Sequence, residues 1–130
     1  MKRFLILIFI FSSCSYSKPL DIPGFDKTVF SGDRGACKNQ RSTMRETLFK
    51  NKDMILGISE NEVFKALGRY DYQGLSRKNE KSWVYFFEKG PQCENIQNPT
   101  SSEAMILQFN SIGLVNEVVF NKGGLASEIP

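Results

Sequence analysis

The sequence contains no histidine, and this absence excludes several classes of active site. The chain cannot form catalytic triads that depend on histidine, zinc sites with histidine ligands, or pH switches driven by histidine titration. The three cysteines show no C-x-x-C spacing, which argues against a metal site built from thiolates. Nucleophile-elbow, Walker A and dinucleotide-binding motifs are also missing. We therefore expect no enzymatic activity, no cofactor and no bound metal.

Charge of one sign is not in excess. The 130 residues carry 17 Lys and Arg against 14 Asp and Glu, a net charge of +3. Lys2 and Arg3 account for two of these positive charges, so residues 15–130 carry a net charge of only +1. Nucleic-acid binding usually needs a concentrated basic face. We expect no nucleic-acid partner.

Long hydrophobic runs are absent too, since the longest one, Phe4–Phe11, is short. As a helix it would span roughly 12 Å, against about 30 Å of bilayer hydrocarbon, so it does not predict a permanent membrane span. Positive charges precede this run, and the small residues Ser12 and Ser13 follow it. This pattern is typical of a secretory signal peptide.

The end of the signal peptide can be interpreted in two ways. Residues 11–14 resemble a bacterial lipobox, in which Cys14 would be lipidated and become the new N-terminus. The alternative is ordinary cleavage after residues 15–17, which would release a free secreted protein. A segment that is not cleaved at all would remain as an anchor. We expect a signal peptide over 1–14, a flexible tether over 15–24 with two prolines and a glycine, a folded domain over 25–120 and a loose tail over 121–130.

Export also decides how the remaining cysteines are interpreted. Cys37 and Cys93 are an even pair in a chain that is expected to enter an oxidising compartment, so we predict a disulfide between them. Two buried free thiols are the alternative.

Two helices are predicted. Met44 and Leu48 share one face with Cys37 in a helix over 37–50, which places the cysteine on the apolar side. Ser59 and Glu62 form a capping-box pattern at the start of a second, short helix, which Gly68 ends.

Three strands are predicted after these helices. Their ranges are 82–88, 104–109 and 114–120, and Asn110–Gly113 forms a hairpin turn between the last two. Both faces of the last strand carry valine, so alternation does not assign its buried side.

A polar segment over 69–81 separates helices from strands, and it is the candidate binding surface. Its cationic and aromatic side chains would suit anionic lipid headgroups or an acidic partner, and a solvated connecting loop is the alternative. The candidate residues are Arg69, Tyr70, Tyr72, Arg77, Lys78 and Lys81.

Two segments carry a family resemblance. The chain resembles the SmpA/OmlA (BamE-like) lipoprotein family over roughly 55–120. The resemblance rests on Leu56–Gly68 and Phe109–Val118, with the lipoprotein-type signal before them. The resemblance implies an α+β fold with two helices packed on a three-stranded antiparallel sheet, a fold that beta-lactamase inhibitor proteins share. It also implies an outer-membrane lipoprotein that faces the periplasm and binds envelope proteins, including the outer-membrane protein assembly machine.

Three functions follow as hypotheses. The first is a non-catalytic protein-binding module of the cell envelope, and the second is a secreted inhibitor of a hydrolase with the related inhibitor fold. The third is a small envelope hydrolase that would use Glu80 and Glu88, which flank the aromatic strand, as a carboxylate pair.

Overall fold

The computed structural model describes residues 8, 10, 18–75 and 78–124. The fold is α+β, with short helices packed on one antiparallel sheet. The α-helices are α1 (Lys27–Gly32), α2 (Arg45–Lys50), α3 (Lys52–Ile55) and α4 (Glu60–Leu67), and 3₁₀ turns cover Arg34–Ala36, Arg41–Met44 and Pro91–Cys93. The strands are β1 (Tyr72–Leu75), β2 (Lys81–Phe86), β3 (Glu103–Phe109) and β4 (Val115–Lys122).

The sheet has four strands in the order β1-β2-β3-β4, which is one more than the sequence predicts. The additional strand, β1, lies inside the segment that was expected to be a polar loop. Its residues pair antiparallel with β2, with Tyr72 opposite Val84 and Leu75 opposite Lys81. The four residues of β1 include a glycine and show no strong strand pattern, so pairing with β2 rather than local preference creates this strand.

The sheet buries side chains on both faces. The larger core lies between the helices and the face that carries Trp83, Tyr85 and Phe87, and it includes Phe30 and Leu48 from the helical half. A smaller cluster covers the opposite face. It comprises Ala36, Val84, Phe86, Ala104 and Ile106, with Tyr72, Ile96 and Val119 packed against it.

A β-bulge explains why the buried side of the last strand could not be assigned from alternation. The register of β3 with β4 shifts between Gln108 and Phe109. Val115 and Val118 therefore both contribute to the larger core, although they are three residues apart. An inserted residue reverses the parity of a strand.

The predicted helix over 37–50 is only partly present. Residues 45–50 are helical, but Cys37 lies outside any helix, and the chain to Arg41 follows an irregular path. The cause is the buried carboxylate of Asp33, which accepts hydrogen bonds from the N–H groups of Lys38, Gln40 and Arg41 at 2.6–3.1 Å. These bonds replace the helical ones that the apolar spacing had suggested.

The short helix and the hairpin are confirmed. Ser59 caps α4 by accepting the N–H of Glu62, and Gly68 follows the helix with φ of 82°. In the hairpin, Asn110 Oδ1 accepts the N–H groups of Ile112 and Leu114. Both motifs depend on side chains within four residues of the groups they bind, so sequence alone was sufficient to predict them.

The ends of the folded body differ from the expected limits. Ile22, which falls in the predicted tether, is buried in the larger core. Residues 121 and 122, which fall in the predicted tail, belong to β4. Residues 125–130 lie outside the described part of the chain.

Candidate protein-interaction surface at the edge of the sheet

β1 forms one edge of the sheet, and alternate residues of it turn their backbone N–H and C=O groups away from β2. Phe87 donates its N–H to the carbonyl of Glu103, so the odd residues of β2 face β3. Successive residues of an antiparallel ladder face opposite neighbours, so the even residues of β2 face β1. Their partners there are Tyr72 and Gly74. Gln73 and Leu75 therefore direct their N–H and C=O groups outward, where no strand of the described chain pairs with them.

Side chains around this edge are exposed and mixed in character. The Leu75 side chain is 69% exposed, an unusual position for a large apolar residue. Gln73 Oε1 accepts the indole N–H of Trp83 at 2.9 Å, which holds the middle of the edge in place. Arg69 and Lys78, at the two ends of the strand, are both exposed. This edge thus presents an exposed leucine beside backbone groups that pair with no strand of the described residues.

The structure divides the predicted binding residues among several places. Tyr70 packs on Trp83 with ring centroids 4.8 Å apart, on the helix side of the sheet. Tyr72 belongs to the cluster on the opposite face. Lys81 forms an ion pair with Glu60. Arg77 lies outside the described residues. Arg69 is exposed three residues before β1, and Lys78 lines a groove at the end of the sheet.

A groove lies at the end of the sheet where the β1–β2 connection meets the β3–β4 hairpin. Its volume is about 640 Å³. The lining includes Glu60, Lys81 and Asn110, which already make contacts within the protein. Glu80 also lines it and accepts a hydrogen bond from Asn116 Nδ2 at 3.1 Å.

Glu80 and Glu88, the carboxylate pair of the hydrolase hypothesis, lie at opposite ends of β2. Eight residues of extended chain span about 26 Å, whereas glycosidase carboxylates are separated by about 5–10 Å. Glu88 also accepts the N–H of Glu103 at 3.0 Å. The two residues cannot act on one glycosidic bond in this fold.

Behind β1 lies a buried ion pair that the sequence did not predict. Arg41 Nη1 contacts Asp71 Oδ2 at 2.5 Å, and both side chains are fully buried. Asp71 also accepts the N–H groups of Gly35 and Phe86 at 2.8 Å each. Arg41 Nε donates to the carbonyl of Phe30 at 2.8 Å. This network joins the irregular helical half of the chain to the start of β1 and so fixes the edge strand.

Tyr85 lies beside this network and is held protonated. Its hydroxyl donates to the carbonyl of Gly68 at 2.9 Å. Burial raises the pKa of Tyr85 well above its usual value, the charge of Asp71 raises it further, and Arg41 opposes the change. A protonated, hydrogen-bonded phenol inside the core suits a structural role.

A second surface feature is an aromatic and cationic cluster on α2 and β4. Arg45 lies over the rings of Phe49 and Phe120, at 4.7 and 5.3 Å from their centroids. A hydrogen bond to Glu103 raises the pKa of Arg45, and an ion pair with the same carboxylate holds the guanidinium at 2.7 Å. These internal contacts occupy the charged group of this cluster.

The predicted cysteine pair is close in space. Cys37 and Cys93 lie at disulfide distance with Cα atoms 5.7 Å apart, although they are 56 positions apart in sequence. Cys93 follows β2, and Cys37 follows the Gly35 turn, so the pair connects the helical half to the sheet. The predicted lipidation site, Cys14, lies outside the described residues.

Among the described residues, no group of His, Cys, Asp and Glu is suited to a metal ion, and no helix is long and apolar enough to cross a membrane. Comparisons with protein-family models, with curated proteins and with solved structures found no match to this chain.

Proposed function

We propose that this protein is an exported lipoprotein of the bacterial cell envelope that binds another envelope protein and performs no chemistry itself. The proposal places the lipid on Cys14 and the folded body in the periplasm, next to the outer membrane. The SmpA/OmlA resemblance motivates outer-membrane protein assembly or envelope maintenance as the setting.

The observation that carries the proposal is the Cys37–Cys93 pair. The two residues are brought to disulfide distance by the fold rather than by closeness in sequence. Disulfides persist in exported proteins and are rare where thiols are kept reduced. A signal peptide before such a body supports the same compartment.

The edge of β1 supports a binding role. The outward backbone groups of Gln73 and Leu75 pair with no strand of the described residues, and the Leu75 side chain is exposed. A lipid anchor would restrict the domain to the membrane surface and raise its effective concentration near partners held there. Association at the membrane would then need only modest intrinsic affinity.

Intact mass of the mature protein, purified from envelopes without reductant, tests the location. We expect a mass that begins at Cys14, carries acyl chains and lacks two hydrogens relative to the dithiol. A protein that retains Met1 and reacts with a thiol reagent at Cys37 and Cys93 would refute the proposal.

Cys14→Ala supplies a matched control for the anchor. We expect this variant to leave the membrane fraction while its folded body keeps the disulfide. A wild-type protein that is itself soluble and unlipidated, with the disulfide formed, would favour the secreted-inhibitor alternative.

Photo-crosslinking in intact cells tests the binding role. A photoreactive amino acid at Arg69, beside the β1 edge, is compared with one at Asn95 in the exposed loop before β3. We expect a discrete crosslinked partner from the first position. No discrete product from either position, nor from Phe49, would contradict a protein-binding function.

A further inference from the structure

We propose that the Cys37–Cys93 disulfide holds the edge strand β1 in place, and that its reduction by a dithiol loosens the pairing of β1 with β2. The change is confined to this chain and needs no bound partner. It requires the same disulfide on which the proposed function rests. One covalent bond would thus determine how firmly the edge of the sheet is held.

Gly35 is the residue through which the cysteine pair reaches the rest of the fold. It lies two positions before Cys37, and its carbonyl oxygen is 3.8 Å from Cys93 Sγ. A Cβ at Gly35 would lie 3.0 Å from Cys37 Sγ, so the turn packs directly against the sulfur atoms. The position of this turn therefore depends on where the disulfide holds it.

Asp71 connects Gly35 to β1. Its Oδ1 accepts the N–H of Gly35 and its Oδ2 accepts the N–H of Phe86, at 2.8 Å each. Asp71 immediately precedes β1 and donates its own N–H to the carbonyl of Val84 at 2.9 Å. Its carboxylate is fully buried, so a hydrogen bond lost there leaves a desolvated group unpaired. A shift of Gly35 is therefore transmitted to the start of the edge strand.

β1 is the strand that should respond first when this contact is lost. It is four residues long and, among the described strands, pairs only with β2. β3 and β4, by contrast, pair along their length, from Glu103 opposite Lys122 to Phe109 opposite Val115. Segments with few buried contacts and few backbone hydrogen bonds open at lower free energy than the rest of a fold. We therefore expect β1 to loosen while the other three strands stay paired.

Gln92 supplies a contact that survives reduction. Its Nε2 donates to the carbonyl of Gly35 at 3.2 Å and to the carbonyl of Glu88 at 2.7 Å. Gln92 and Cys93 share the 3₁₀ turn Pro91–Cys93, so this side chain ties the same two segments without a covalent bond. The expected change is therefore a loosening of β1 and not its detachment.

The chemistry is thiol–disulfide exchange. A thiolate of the dithiol attacks one sulfur of the disulfide, forms a mixed disulfide and releases the other cysteine, which takes up a proton. The second thiol of the reagent then displaces the remaining cysteine. The reagent becomes a cyclic disulfide, and two electrons and two protons pass to the protein. Both Cys37 and Cys93 are partly exposed, which gives a thiolate access to the bond.

Amide hydrogen exchange, followed by NMR on the mature protein, tests this coupling. Oxidised protein is compared with the same protein in dithiothreitol, and intact mass verifies both states. We expect exchange at Gly35, Asp71 and Phe86 to accelerate by about tenfold on reduction, the effect of losing one hydrogen bond of ordinary strength. Phe87 is the matched control, because its N–H bonds to the carbonyl of Glu103 in β3 and should change little.

Equal acceleration at Phe86 and Phe87, or acceleration at neither, would overturn the coupling. So would general unfolding, which would also expose the amides of Gly57 and Val115 at the other edge of the sheet. A disulfide that dithiothreitol leaves intact in the folded protein would overturn it as well. Any of these results in protein with a verified disulfide leaves the proposed function intact, whereas protein isolated as the dithiol would refute the proposed function.

Asp71→Asn gives a second measurement through the reciprocity of coupled equilibria. If the disulfide stabilises the contacts of Asp71, those contacts stabilise the disulfide by the same factor. We expect the variant to be half-reduced at about a tenfold lower ratio of reduced to oxidised dithiothreitol than wild type. Asp53→Asn, at an exposed position, is the matched control and should leave this ratio unchanged. An unchanged ratio for folded Asp71→Asn would contradict the coupling, and the exchange comparison on wild type decides the question if this variant does not fold.

Discussion

At the scale of single residues, Arg41 has the most consequential environment. Its guanidinium is fully buried, lies 4.3 Å from the centroid of the Phe30 ring and pairs with Asp71. Nη2 has no hydrogen-bond partner among the described residues. A buried ion pair contributes less than its geometry suggests, because both charges lose hydration, but removal of one partner leaves the other charge buried and uncompensated.

Arg41→Met tests this environment. We expect the free energy of unfolding to fall by about 3–5 kcal/mol, the cost of leaving Asp71 charged and unpaired in the core. Urea denaturation of the oxidised protein measures it. Arg34→Met, at an exposed position in the same segment, is the matched control and should change stability by less than about 0.5 kcal/mol. Equal effects of the two substitutions would show that the buried pair is dispensable.

Ionisation of Tyr85 makes the free energy of unfolding depend on pH in the alkaline range. The pKa of Tyr85 is raised in the folded protein by burial and by Asp71, whereas an unfolded tyrosine ionises near pH 10. The unfolded state therefore loses a proton first, and the free energy of unfolding falls as pH rises above about 10.

Tyr85→Phe isolates this contribution. We expect it to cost about 1 kcal/mol at pH 7 through loss of the hydrogen bond to Gly68. The difference between wild type and variant should shrink, then reverse, as pH rises from 10 to 12. Denaturation curves across that range measure it, and a constant difference would contradict the raised pKa.

At the scale of elements, α4 ends at a position that only glycine suits. Gly68 has φ of 82° and ψ of −171°, a region that residues with a side chain rarely occupy. A Cβ there would also lie 2.7 Å from the Cβ of Ser31. The end of α4 and its packing against the segment after α1 therefore depend on the same residue.

A comparison of Gly68→Ala with Gly57→Ala separates the cost of backbone strain from the cost of a steric clash. Gly57 also has positive φ, 78°, but a Cβ there meets nothing within 4 Å. We expect Gly57→Ala to lower the free energy of unfolding by about 1 kcal/mol, through backbone strain alone. Gly68→Ala should cost about 3 kcal/mol, because a steric clash adds to the strain. Thermal and urea unfolding measure both, and equal losses would show that the Ser31 contact relaxes freely.

At the scale of the whole molecule, the cysteine pair joins two halves that are assembled differently. The helical half holds its irregular path through Asp33, and the sheet is a simple meander. A cross-link between positions 56 residues apart reduces the entropy of the unfolded chain by the equivalent of about 4 kcal/mol in the loop-closure description.

Replacement of both cysteines by serine tests this contribution. We expect the double variant to unfold at lower urea concentration, with a loss of about 2–4 kcal/mol. Wild type treated with reductant should approach the variant, whereas the variant itself should not respond to reductant. A variant as stable as the oxidised wild type would show that the cross-link adds nothing to folding.

Sequence reasoning succeeded where the deciding contacts are local. Ser59 and Gly68 define α4 through groups within one helical turn, and Asn110 defines its hairpin in the same way. It failed at Arg41 and Asp71, which are 30 positions apart and appear as ordinary polar residues in the sequence. It also failed at β1, because the strand exists through its pairing with β2.

The sequence by itself determined the signal-peptide pattern, the absence of histidine chemistry, the caps of α4 and the turn between β3 and β4. Each of these follows from composition or from interactions between near neighbours. Only the tertiary structure decided that Asp71 is buried, that β1 forms the exposed edge and that Glu80 and Glu88 are far apart. The physical reason is that burial and strand pairing depend on which distant residues meet, and no local pattern in the chain specifies those contacts.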